Sequence, residues 1–155
     1  MRCEAKTIGV ISDTHGLLRA EATAALRGCD AIVHAGDIGK PEVLEQLAAL
    51  APLTAIRGNV DTWATDLPET AVLTLAGKRF YVIHNVKELE LDARAAGFAA
   101  VISGHSHVPK SETRGGVLYL NPGSAGPRRF KLPVAIAKIR VREDGVGAEL
   151  ITLPV

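Results

Sequence analysis

Three short apolar runs, TIGVIS (7–12), DAIVHA (30–35) and LTAIR (53–57), recur with helix-like spacers between them. No other feature constrains the fold as much. Each run is rich in β-branched residues and reads as a strand. The first spacer carries Leu18, Ala22, Ala25 and Leu26 at helical spacing and closes at Gly28. The second opens at Pro41, which suits a first helical turn, and sets Val43, Leu44, Leu47 and Leu50 along one face. Strand–helix–strand–helix–strand at this spacing argues for parallel strands joined by right-handed crossovers.

The second half has a different rhythm. AVLTL (71–75) and RFYVI (79–83) flank Ala76-Gly77-Lys78, a hairpin turn. A short helix is expected next, with Leu89, Ala93 and Ala96 on one face and Gly97 closing it. Strands AAVIS (99–103) and VLYL (117–120) follow, then VAIAKIRV (134–141) and AELITL (148–153), joined through Asp144-Gly145. An α/β first half and a strand-rich second half are both buried if two mixed β-sheets pack together with helices outside. At 155 residues the chain is expected to form a single domain over 1–155, with a core that needs no staples.

Composition removes several function classes. A net charge of +1 gives no electrostatic case for nucleic acid, and the local cluster Arg128, Arg129, Lys131 reads as a solvated loop. Cys3 and Cys29 form neither a zinc-type pair nor a disulfide framework and suit a reducing compartment. The opening MRCEAKTIGVISD is interrupted by Glu4 and Lys6 and lacks a signal peptide's apolar region. No window approaches the length of a membrane span. A cytoplasmic protein with no membrane partner is expected.

The chemistry-bearing residues gather at the strand ends. These read Asp13-Thr14-His15-Gly16, Gly36-Asp37, Gly58-Asn59-Val60-Asp61, His84-Asn85 and Gly104-His105-Ser106-His107. In open α/β sheets the carboxyl ends of strands are where ligands bind. Four of the chain's five histidines stand there, and alternation aims His105 and His107 to the same side. Each piece has an ordinary structural alternative. Asp13 could cap or turn, Asp37 could cap the helix near Pro41, Gly58-Asn59 could be a turn pair, and His84 a satisfied strand end. His34, inside the second strand, reads as structural or at most as support for a ligand. Their shared placement is what singles them out.

The segments ISDTHG, HAGD, RGNVD, VIH, SGHSH and NPGS, in this order and spacing from residue 8 to 124, resemble the calcineurin-like metallophosphoesterases, in particular their short single-domain phosphodiesterase branch. The resemblance implies an αββα sandwich with two divalent metals at the strand ends. One ion would take Asp13, His15, Asp37 and His107. The other would take Asp37, Asn59, His84 and His105, with Asp37 bridging. Imidazole and carboxylate without thiolate suit manganese first, with iron, nickel or zinc as alternatives. A metal pair about 3.5–4 Å apart supplies a hydroxide near neutral pH and holds the phosphoryl oxygens for in-line attack. No protein nucleophile is then required. Ser124 lacks a G-x-S-x-G context and a spare base. It joins Asn85 and Val86 as a substrate-pocket candidate, and Asp61 is a candidate for catalytic assistance.

Two positions depart from the family pattern. Val60 stands where many larger relatives have a histidine thought to assist the leaving group. His84-Asn85-Val86 stands where the short branch commonly reads His-Gly-His. The first favours substrates with a reasonable leaving group, and the second bears on substrate choice and rate more than on metal binding. The expected function is hydrolysis of a small-molecule phosphodiester. The alternative is a non-catalytic scaffold of the same fold that binds a protein partner. A homo-oligomer stays open.

Overall fold

The computed structural model describes residues 5–128 and 131–155, so Cys3 and Arg129 lie outside the described residues. Strand β1 (Lys6–Ile11) pairs in parallel with β2 (Ala31–His34), and β2 with β3 (Leu53–Ala55). Helices α1 (Ala20–Leu26) and α2 (Pro41–Ala48) make the two crossovers. Ile8, Val10 and Val33 face a second sheet, while Ile11 and Ile32 face the helices with Leu26, Val43 and Leu47. Burial on both faces is why these strands read as unbroken apolar runs. Gly9 lets α1 sit directly on β1, since a Cβ there would stand 2.5 Å from Leu26 Cδ2 and 3.1 Å from Cys29 Sγ.

The second sheet holds β4 (Thr70–Leu75), β5 (Lys78–Ile83), β6 (Phe98–Ile102), β7 (Lys110–Arg114) and β8 (Val117–Asn121) in the order β4-β5-β6-β8-β7. Its three central strands are parallel and its two edges antiparallel. A final hairpin, β9 (Ala135–Arg142) and β10 (Gly145–Thr152), completes the first sheet by lying antiparallel to β1. Phe80, Val82, Ile102 and Leu120 pack across the sandwich against Ile8, Val10, Ile139 and Val141. The expected pair of packed mixed sheets is therefore present. Among the described residues no helix is long and apolar enough to cross a membrane.

Two segments differ from expectation. The helix expected over Leu89–Gly97 is absent. A single 3-10 turn (Val86–Glu88) is followed by irregular chain. Asp92 closes one turn on itself, its carboxylate accepting from the Ala95 N–H at 3.1 Å and its carbonyl from the Ala96 N–H at 2.9 Å. So short a segment cannot offset the cost of helix nucleation. Leu89, Leu91, Ala93 and Ala96 still pack on the outer face of the second sheet beside Tyr81 and Tyr119. Their spacing therefore signalled a cover rather than a helix. Strand β7, with the sequence KSETR, was not expected at all. None of its residues is buried, and its charges protect an edge that pairs only with β8.

Candidate metal centre

The carboxyl ends of β1, β2, β3, β5 and β6 meet at one edge of the sandwich, and backbone hydrogen bonds tie their loops together. The N–H groups of Asp13 and His15 donate to the carbonyls of Gly36 and Asp37 at 3.0 Å each, and Gly104 N–H donates to His84 O at 2.9 Å. Glycine makes this approach available. A Cβ on Gly58 would overlap the Asp37 carboxylate, and one on Gly104 would lie 2.7 Å from Asp13 Oδ2 and closer still to Ser12 Oγ. The two carboxylates thus occupy the space those side chains would need.

Two groups of ligating side chains result, each with its candidate atoms within 4.8 Å of one another: Asp13, His15 and His107, and Asp37, His84 and His105. In the first, His107 Nε2 is 3.5 Å and His15 Nε2 4.0 Å from Asp13 Oδ1, and the two rings stack at 5.4 Å between centroids. In the second, His84 Nε2 is 3.2 Å from Asp37 Oδ2, and the His84 and His105 rings meet edge to face at 5.2 Å. The groups are joined. Asp37 Oδ2 also lies 3.9 Å from His15 Nε2, so one carboxylate oxygen faces both.

Hydrogen bonds aim these groups. Asp13 is fully buried, and its Oδ2 accepts from Ser12 Oγ at 2.7 Å and from the His105 N–H at 3.1 Å. Its Oδ1 is buried with no hydrogen-bond partner. His84 Nδ1 donates to the Ala35 carbonyl at 2.7 Å, which turns Nε2 toward the carboxylates. The electrostatics follow. Burial pushes the Asp13 carboxyl up to about 6, against the Ser12 hydroxyl that opposes it. Burial acts the same way on Asp37, but His84 and the Val60 N–H outweigh it and hold that carboxyl well below the usual range. Burial opposes a charged His84, yet Asp37 and the Ala35 carbonyl together raise its pKa.

The backbone is strained here. Among the described residues the non-glycine positions with positive φ are Asp13, His15, Asp37, His105 and His107, plus Ala76 in a hairpin turn. Left-handed backbone in residues with a Cβ concentrates at functional sites and persists where neighbours over-determine it.

The other sequence candidates separate by what they touch. Asn59 is exposed and, with His84 and Asn85, lines a cleft of about 740 Å³. Asp61 is fully buried and accepts from the N–H groups of Ile38, Gly39 and Gly58 at 2.9–3.0 Å, which makes it a tie between two loops. Ser124 donates to the Asp13 carbonyl at 3.0 Å. Asn85 caps the short 3-10 turn, accepting from the Lys87 N–H at 3.1 Å, and Val86 packs on the outer face of the second sheet. His34 is structural. It accepts from Gly36 N–H at Nδ1 (3.1 Å), so its Nε2–H donates to Thr14 Oγ1 (3.0 Å), and burial lowers its pKa to about 3.

Sequence reasoning passed over two residues that position the site. Ser12 orients Asp13. Asn121 Nδ2 donates to Gly104 O at 2.9 Å and to Ser106 Oγ at 3.0 Å, while its Oδ1 accepts from Gly123 N–H. Both lie inside quoted segments, ISDTHG and NPGS, and the further signal was position. Ser12 directly precedes a candidate ligand, and Asn121 ends a strand beside the His105 loop.

Comparison with known proteins agrees with this architecture. The sequence model of the calcineurin-like phosphoesterase superfamily domain matches residues 7–144. A probable metallophosphoesterase of Methanocaldococcus jannaschii is 36% identical, covering 94% of this chain and 81% of the relative. The crystal structure of a "predicted phosphoesterase" of Streptococcus pneumoniae superposes with a TM-score of 0.76 at 26% identity, covering 97% of this chain and 91% of that one. Vacuolar Protein Sorting 29 of Cryptosporidium parvum shares the fold with a TM-score of 0.77 at 16% identity, covering 96% and 98%. The strand-end histidines and carboxylates, the two packed sheets and these matches lead to one conclusion: the chain belongs to the calcineurin-like phosphoesterase superfamily.

Proposed function

We propose that the chain is a cytoplasmic, metal-dependent phosphodiesterase, with residues 1–155 acting as one domain. The observation that carries this reading is Asp37 Oδ2, held 3.2 Å from His84 Nε2 and 3.9 Å from His15 Nε2, one oxygen between two donor groups. The donor set fits divalent cations. A fully buried carboxylate oxygen without a hydrogen-bond partner, as at Asp13, is costly unless a cation satisfies it. Asp13, His15, Asp37 and His107 would hold one ion, and Asp37, Asn59, His84 and His105 the other. When bound, such a pair supplies Lewis acidity toward phosphoryl oxygens and a water ionised near neutral pH. Manganese is the first choice, with iron, nickel or zinc next, because imidazole donors disfavour magnesium.

The chain's own residues prepare that chemistry. Ser12 and the His105 N–H fix one oxygen of Asp13 and leave the other facing the first group. Asp37 stays ionised beside His84. Asp61 and Asn121 act as positioning residues, since Asp61 spends its carboxylate on loop backbone and Asn121 its amide on loop backbone and the Ser106 hydroxyl, and this reading replaces direct assistance by Asp61. The Ser124 hydroxyl is engaged by a carbonyl, which supports a mechanism without a serine nucleophile. The buried free thiol of Cys29 suits a reducing cytoplasm.

The rival is a scaffold of the same fold, to which the likeness to Vacuolar Protein Sorting 29 lends only the fold. Metal content of protein purified without chelator, followed by hydrolysis of bis(p-nitrophenyl) phosphate, separates the two. The phosphodiesterase reading expects activity lost in chelator and restored better by Mn²⁺ than by Mg²⁺. Bound metal with no turnover on any phosphoester would favour the scaffold.

A further inference from the structure

Two clefts meet at Asn85, which lines both. The larger, about 740 Å³, includes His84, and its charged lining is Glu69, Glu88, Glu90 and Arg57. The smaller, about 500 Å³, includes His105, and its charged lining is Lys87, Lys110, Arg114 and Glu112. The His84 and His105 rings are 5.2 Å apart, so both clefts open onto the same donor group with opposite excess charge.

The charges are not cancelled within either cleft. Arg57 pairs with Glu69 at 3.2 Å, which leaves Glu88 and Glu90 in surplus. Glu112 lies between Lys110 at 3.4 Å and Arg114 at 3.8 Å, which leaves the equivalent of one cation together with Lys87. Exposed pairs of this kind are weak and yield to a better-placed ligand charge. Clefts lined by one sign of charge concentrate ligands of the other sign, and a like charge is actively rejected. A phosphodiester has two arms, and this site offers each arm a different field.

Resting on the phosphodiesterase reading above, we propose that the substrate is an asymmetric phosphodiester. The arm ending in an anionic group, carboxylate or phosphate, lies in the Lys87–Lys110–Arg114 cleft. The uncharged or cationic arm lies in the Glu88–Glu90 cleft. Asn85 stands at the junction, where its side chain divides the two arms. A nucleic-acid strand, anionic on both sides of each phosphate, suits this arrangement poorly.

The test uses Mn²⁺-loaded full-length protein and four p-nitrophenyl phosphodiesters. Their second alcohols are glycerate, glycerol phosphate, glycerol and choline. Either anionic arm should exceed glycerol in kcat/KM by about tenfold, and the margin should shrink with added salt, while the choline arm, accepted by the Glu88–Glu90 cleft, gains nothing from Lys110 and Arg114. The better of the two anionic arms identifies the anion. Lys110→Glu with Arg114→Glu, both on the exposed edge strand, should invert the ranking. Lys110→Gln with Arg114→Gln should flatten it. Calorimetric binding of the matching non-hydrolysable phosphonates should follow the same order without turnover.

Equal kcat/KM and equal binding across the arms, or a ranking unmoved by charge reversal, would overturn the proposal while leaving the phosphodiesterase reading intact. No turnover on any of the four, with bis(p-nitrophenyl) phosphate also inert, would remove that reading and this inference with it.

Discussion

At one end of the sandwich the chain reverses through Gly77 and Gly116, where φ is +78° and +81° and an added Cβ would meet nothing within 4 Å. At the other end, left-handed backbone falls on Asp13, His15, Asp37, His105 and His107, with φ between 48° and 72°. The same conformation is thus reached in two ways. Open glycine turns adopt it with little strain. In residues with a Cβ it costs on the order of 1–3 kcal/mol each. The strained end persists because its neighbours hold it. Asp61 ties three N–H groups, Asn121 ties the His105 loop, and Ser12 fixes Asp13. Among the described residues five such positions lie at the end that carries the histidines and one, Ala76 beside Gly77, at the end that does not, a bias that suits pre-organisation of a metal site.

The contrast can be broken most severely at Asp37. Asp37→Ala removes the oxygen common to both groups, so metal content should fall from two ions toward none and hydrolysis should drop to the chelated background. His107→Ala should lower only one site. Metal analysis alongside kinetics distinguishes them, and an Asp37→Ala protein that keeps two ions and turns over would refute the bridge.

A smaller perturbation targets packing rather than ligands. Gly104→Ala drives a methyl into Ser12 and Asp13, so metal affinity should fall about 10–100-fold, as for other losses of ligand support. Competition titration with a chromophoric chelator measures this. Asp61→Asn keeps the shape but turns an acceptor into a donor facing a backbone N–H, which should cost about 1–3 kcal/mol of stability in urea unfolding.

His34 sharpens the comparison through pH. Its folded pKa is depressed to about 3 by burial, against about 6.5 for an unfolded histidine. The folded state therefore binds fewer protons in that window. The His34 contribution is complete above about pH 6.5 and is lost as pH falls toward about 3, at about 1.4 kcal/mol per pH unit. Metal-free wild type and His34→Gln, unfolded in urea at several pH values, should differ by this slope. The smallest effect belongs to the open end. Gly116→Ala should cost about 1 kcal/mol through its positive φ and leave metal affinity unchanged.

How legible each part was depended on the physics it reports. The central strands could be read because two-sided burial writes β-branched runs, and the candidate ligands because each stands where such a run ends. Strand β7 could not, because an edge strand of charged residues has no apolar face to display. The segment with Leu89, Ala93 and Ala96 misled because apolar spacing records contact with the sheet, and Asp92 chose a closed turn over a helix. Ser12 and Asn121 stand inside the ISDTHG and NPGS segments without a ligand's chemistry of their own, and Asp61 reads in the sequence as a candidate for catalytic assistance. Only the fold brings Asp61 to the loop at Gly39 and Asn121 to the loop at Gly104.

The central claim is that one carboxylate, Asp37, joins two metal-holding groups built on strained strand ends. Anomalous scattering from a crystal of Mn²⁺-loaded protein tests it most directly. The account predicts two manganese peaks, one among Asp13, His15 and His107, the other among His84, His105 and Asn59, with Asp37 touching both. A single peak, or two peaks that Asp37 does not share, would contradict it.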